Sequence, residues 1–194
     1  EAEAIRDSVL AASGKLNLKM KGPSIYPAFD RQVVGASSKS DWGKSSEEEA
    51  SRRSVYVFAK RALPLPELGV LGSPDSSSSC EKRNVSTTAV QSLLMLNGTF
   101  MNAQAAHLSK SLRKNSASPE PEDRDLVRRA VLRVLCREPR AEELAQSLEF
   151  IKGSRPEEAS QDKARQRKNQ PAAADPLTML CLVLLNTNEF VYRN

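Results

Sequence analysis

The chain has 194 residues, 39% of them hydrophobic and 5% aromatic, and its 29 Lys and Arg against 24 Asp and Glu give a net charge of +5. That length sustains one core, thin for its size, while the basic excess is spread over many segments and does not form the dense patch that a nucleic-acid surface needs. Three cysteines at 80, 136 and 181 cannot all pair, no C-x-x-C or haem-attachment spacing occurs, and no apolar run reaches membrane-spanning length.

Residues 3–13 read as a helix with Ile5, Val9 and Ala12 on one side, Arg6 and Asp7 flanking that face, and Ser13-Gly14 as its stop. Glu1-Ala2-Glu3 leads straight into this pattern, which predicts a fragment of something longer. Gly22-Pro23 and Tyr26-Pro27 make 15–27 a non-helical loop. From Asp30 to Arg53, Ser, Lys and Glu dominate around a lone Trp42, so an exposed, flexible insert is expected, with Trp42 docked as a plug in preference to binding a ligand.

Ser54 to Lys60 alternates Val55, Val57 and Ala59 against Tyr56 and Phe58, the best strand pattern in the chain. Pro64, Pro66 and Pro74 turn 62–74 into an extended surface strip, and the serines of 75–79 feed the next stretch.

Cys80 to Asn97, CEKRNVSTTAVQSLLMLN, joins a polar cationic loop to a capped apolar helix. Thr88 and Gln91 fit a capping box that starts a helix at Ala89, with Val90, Leu93, Leu94 and Leu96 at helical spacing and Asn97-Gly98 as the stop. A second helix follows, with Met101, Ala105, Leu108 and Leu112 as its stripe and Lys110, Arg113 and Lys114 at the negative end of its dipole. Cys80 lies in a polar loop, where a free thiol and a long-range bridge both remain open.

After a linker at 116–121, an acidic start at Glu122, Asp123 and Asp125 opens a helix to Arg137. Its arginines belong to a solvated face, Asp125 paired with Arg129, in preference to a phosphate grip. Ala141 to Lys152 is its hairpin partner, stopped by Gly153. Residues 154–174 are charged and aperiodic, and the run Lys163, Arg165, Arg167 and Lys168 is the strongest nucleic-acid signal, diluted by Glu157, Glu158 and Asp162. No nucleic-acid partner is therefore expected. Asp175-Pro176 caps a last helix to Asn188, apolar nearly all round and so expected to be covered all round as the central core helix. These elements predict a mainly α fold: an irregular helical domain with one short β segment and long polar loops. Residues 1–194 would form a single domain with flexible inserts at 30–53 and 154–174.

Chemistry is thinly signalled. His107, the only histidine, has no acidic or cysteine partner at local spacing to make it a general base, and no spacing supports a metal site. Ser8, Ser86 and Ser92 lack the glycines of a nucleophile elbow. Two glycosylation triplets, at Asn84 and Asn97, are explained more simply by helix capping. The polar set with the best claim to a binding site is Lys60, Arg61, Arg83, Asn84, Thr88 and Gln91: donors at a helix start can hold an anion such as carboxylate or sulfate. Pinning an irregular loop is the favoured reading of the same residues. No catalytic residue emerges.

The segments EAEAIRDSVLAASGKL, GPS at 22–24, SVYVFAKRALPLPEL, SCEKRNVSTTAVQSLLMLN, VLRVLCREPRAEEL and LVLLNTNEFVYRN, in that order, resemble the C-terminal part of the planctomycete domain of unknown function numbered fifteen fifty-three. The likeness covers nearly the whole chain outside 30–50 and 154–173. Where that family usually has a proline near the glutamine of the capped helix, this chain has Ala89 and Val90. The resemblance implies a large exported multidomain bacterial protein, periplasmic or at the cell surface, often carrying a cytochrome-c-like domain. Any haem would belong to the rest of that protein, and no cofactor is expected here.

Two readings of function follow. The first is a structural or interaction domain that packs against its own N-terminal domains and binds a polymer, such as a polysaccharide, or an envelope protein on the Lys60 to Gln91 face. The second is part of an enzyme acting on extracellular polysaccharide or in cytochrome-linked redox chemistry, its site shared with the N-terminal portion.

Overall fold

The computed structural model describes residues 1–29, 42–61, 65–74, 79–83, 87–114, 122–154 and 175–192. The fold is mainly α, as expected. Contacts group it into two compact units, Glu1–His107 and Leu108–Asn194.

In the first unit, α1 (Ala2–Ser13) ends at Gly14, whose φ of 78° is left-handed and whose N–H reaches back to the last turn. Its buried residues are Ala2, Arg6, Val9, Leu10, Ala12 and Ser13. Arg6 is therefore inside the core face, not flanking it. It donates from Nη1 to the Arg52 carbonyl and Ser54 Oγ, both at 3.1 Å, and from Nη2 to the Ala50 carbonyl at 2.7 Å.

Of the insert expected at 30–53, residues 42–53 are among those described. Trp42 is docked: its indole N–H donates to the Pro27 carbonyl at 2.8 Å, and its ring meets Tyr26 and Phe29 edge-on. A short helix, α2 (Glu47–Ala50), is capped by Ser46 Oγ accepting from the Glu49 N–H. Arg52 follows with no exposure at all.

The strand expected over Ser54–Lys60 does not form. Ser54–Tyr56 is a 3-10 turn, and Val57 makes one isolated parallel bridge to Ile25, as Arg52 does to Asn17. Strand-like composition marks a pleated, half-buried surface and needs a partner ladder to become a sheet; among the described residues none is offered. The proline-rich strip is corrected too, because Pro66 occupies the first position of α3 (Pro66–Val70), where its fixed φ favours a helix.

The capping box is present in full: Thr88 Oγ1 accepts from the Gln91 N–H and Gln91 Oε1 accepts from the Thr88 N–H. It opens α4 (Ala89–Asn97), but only Met95 of that helix is buried, while Val90 and Leu93 are each 58% exposed. In α5 (Thr99–Lys114) the stripe of Met101, Ala105, Leu108 and Leu112 is buried as expected.

In the second unit, α6 (Asp123–Leu135) and α7 (Ala141–Ser154) form the expected hairpin, and both pack on α8 (Pro176–Leu185). Gly153 lies within α7 and does not stop it. Asp125 and Arg129 pair four residues apart. A last turn, α9 (Asn188–Val191), packs on α6 and α8. The Asp175 carboxylate caps α8 through the Thr178 N–H. Leu177, Leu180, Cys181, Leu184 and Leu185 are buried, but Val183 is 51% exposed, so α8 is covered on one side, not all round. The basic run at 163–168 lies outside the described residues.

Arg137, just past the left-handed Cys136 that ends α6, clamps this unit. It donates twice to Glu143, at 2.8 Å each, and also binds Glu189 at 2.6 and 2.8 Å. Those bonds, helped by the Arg140 N–H, hold the Glu143 carboxyl at about 2, while they push Arg137 up. A carboxylate whose folded pKa is depressed stabilises above its unfolded value and loses that contribution as pH falls through the folded one. Glu143→Gln is therefore expected to unfold at lower urea than the parent at pH 7, with the gap closing between pH 4.5 and about 2. Parallel stability curves for the two proteins across that window would refute the clamp.

Candidate functional site

The first unit contains an apolar groove of about 490 Å³ assembled from four separated stretches. Ile5 and Val9 of α1, Leu68 of α3 and Leu71 just past its end, and Val90 and Leu93 of α4 contribute to its walls, together with Phe29. Each is there for a local reason. The C-terminal stop at Gly14 fixes α1, Pro66 starts α3, and the Thr88 box sets where α4 begins. Because α4 buries only Met95, the apolar side chains at 90 and 93 are left at the groove and open to solvent.

Two charged residues sit among these apolar walls. Arg6 is 5% exposed, lies 5.6 Å from the centre of the Phe100 ring, and has its terminal nitrogens engaged as above. Burial draws its pKa down, against the nearby charges of Asp7 and Glu67. Glu67, in the first turn of α3, has one carboxylate oxygen, Oε2, buried with no hydrogen-bond partner. Burial pushes its carboxyl pKa up, against its own backbone N–H and Arg6. A largely apolar pocket of a few hundred Å³ holding a few polar groups and a perturbed carboxyl has the make-up of a ligand site.

The polar set read from the sequence is divided. Lys60 and Arg83 line a second, more polar groove of about 680 Å³, with Glu1, Glu3, Asp7 and Arg53. Two of its arginines are paired: Arg83 binds Glu3 at 2.7 Å and Arg53 binds Asp7 at 3.4 Å. Arg61 is exposed and lines neither groove; Thr88 and Gln91 are spent on the capping box; Asn84 lies outside the described residues. His107 Nε2 is 3.8 Å from Glu47 Oε1, a partner sixty residues away in sequence, and lines neither groove. Among the described residues no group of three His, Cys, Asp or Glu could hold a metal ion, and no helix is long and apolar enough to cross a membrane. Cys80, Cys136 and Cys181 are free thiols.

Sequence reasoning missed Arg6 and Glu67. For Arg6 a signal existed, since Ala2, Arg6, Val9 and Ser13 follow the spacing of one buried helical face.

The features in hand define a helical domain with an apolar ligand-type groove. Residues 1–151 match the family described as "PSD1: Protein of unknown function (DUF1553)", and the chain belongs to that family. The match ends within α7, so the segment from Leu182 that resembles the family lies beyond it. No curated protein and no solved structure matches the chain.

Proposed function

We propose that this chain is an interaction domain of a large exported bacterial protein, and that its binding capacity resides in the groove between α1, α3 and α4. The carrying observation is the solvent exposure of Val90 and Leu93 at the mouth of a groove lined mostly by apolar side chains. Apolar surface left open beside a concavity gains free energy when an apolar partner covers it. The Lys60 to Gln91 face is a weaker choice, because Arg83 is already paired with Glu3 and Thr88 and Gln91 are engaged in the capping box. The family resemblance supports export and company with other domains of the same polypeptide, any haem being carried there.

The test uses the single tryptophan. Trp42 rests edge-on against Phe29, 5.3 Å between ring centres, and Phe29 lines the groove. Filling the groove with the neutral probe Nile red is expected to alter Trp42 emission and enhance the dye's own. Leu93→Asp, at a position 58% exposed, is expected to weaken dye binding at least about tenfold by placing a charge against apolar surface. Equal binding by parent and variant would remove the groove as the site.

A further inference from the structure

We propose that the ligand of this groove is a single-chain amphiphile with an uncharged, hydrogen-bond-donating head: the alkyl chain lies against Val90 and Leu93, and a hydroxyl or primary amide docks on Glu67 Oε2. This rests on the groove being the binding site and names what it takes.

The polar inventory argues for a small head on an apolar body. An extended peptide brings one N–H and one C=O per residue, each requiring a partner once buried. Among the described residues, the polar side chains at the groove are Arg6, Glu67, Asn97 and Thr99, and both terminal nitrogens of Arg6 already donate to residues 50–54. A helix satisfies its own backbone, but at about 10 Å across it would have room in the groove for little more than one turn. A slender chain with one polar end matches both the volume and the buried side-chain oxygen that, among the described residues at the groove, has no partner.

The choice of head follows from charge. A cationic head would be desolvated beside Arg6, a cation that itself lines the groove and feels the charge of Glu67. An anionic head would face the lone pairs of Oε2. A neutral donor completes the one unsatisfied oxygen, and the terminal torsion of glutamate is soft enough to turn that oxygen toward it.

The experiment compares decan-1-ol with its methyl ether, 1-methoxydecane, in displacing Nile red from the full chain. The alcohol is expected to bind about tenfold more tightly, the worth of one net hydrogen bond in a buried site. Glu67→Leu should abolish that preference while keeping the ether's affinity. Glu67→Gln, which retains an acceptor oxygen, should keep the preference, so the conclusion does not depend on one variant folding. Equal affinity of alcohol and ether for the parent, or a preference that survives in Glu67→Leu, overturns the proposal. If an amphipathic helical peptide displaces the dye and neither decyl compound does, the ligand class falls while the groove stands. If Nile red itself fails to bind, or binds Leu93→Asp equally, the groove reading falls and this one with it.

Discussion

Replacing Arg52 with methionine is expected to lower the free energy of unfolding by about 3 kcal/mol, near the low end of what loss of a buried ionic partner costs. Among the described residues, Arg52 is the largest side chain with no exposure. Its guanidinium donates to the carbonyls of Lys19, Lys21 and Pro23 and to Glu49, and lies 4.0 Å from the centre of the Tyr56 ring. Three carbonyls from one irregular loop thus converge on a single planar fork. The loop needs it: Lys21 is held at φ 64°, a left-handed conformation that costs a non-glycine residue about 1 kcal/mol, next to Gly22 at φ 93°. Methionine fills much of the volume and leaves the carbonyls without their donor, which is the expensive half of a hydrogen bond to lose. Arg52→Lys should recover little, because an ammonium cannot span three acceptors in one plane. Urea unfolding followed by Trp42 emission measures the effect, and a loss below about 1 kcal/mol would show that water replaces the fork at little cost.

What could be read from the sequence was what is local in it. The Thr88 and Gln91 box joins residues three apart, Gly14 stops the helix immediately before it, and the stripe from Met101 to Leu112 repeats within one helix, so each leaves its mark on a short window. Arg52 leaves none. Glu49 apart, its partners are backbone carbonyls 29 to 33 residues back, and a carbonyl carries no residue identity. An arginine in a polar run is ordinarily solvated, and composition gives no hint that this one is not. The groove escaped for a related reason: its walls come from residues 5–9, 27–29, 65–71 and 90–101, brought together only by packing. Glu67, in a proline-rich segment read as an extended strip, acquires its unmet oxygen from burial that no local pattern encodes. The pattern at Ser54–Lys60 misled in the opposite sense, because alternation reports a half-buried surface whether or not a neighbouring strand exists.

In the second unit the largest effect is expected at Cys181. Cys80 and Cys136 are exposed, whereas Cys181 is fully buried in α8 and its thiol is pushed up to about 12, first by burial and then by the charge of Asp175, against the opposing influence of Arg113. Only the thiolate attacks a disulfide reagent, so burial protects twice, by denying access and by withholding the reactive form. Native protein at pH 8 should therefore label at two cysteines rapidly and at the third at least about 10³-fold more slowly, the slow rate reporting opening of the core around α6, α7 and α8. Leu185, also without exposure and on the same helix, discriminates the route of opening. Leu185→Ala should cost about 3 kcal/mol through lost burial and the cavity left behind. If Cys181 is reached only when the whole core opens, its labelling should then accelerate by about two orders of magnitude, since each 1.4 kcal/mol is a factor of ten. An unchanged slow rate in that variant would mean that α8 frays locally at Cys181. The exposed Val183 side of the helix, not the Leu185 side, would then be where solvent enters.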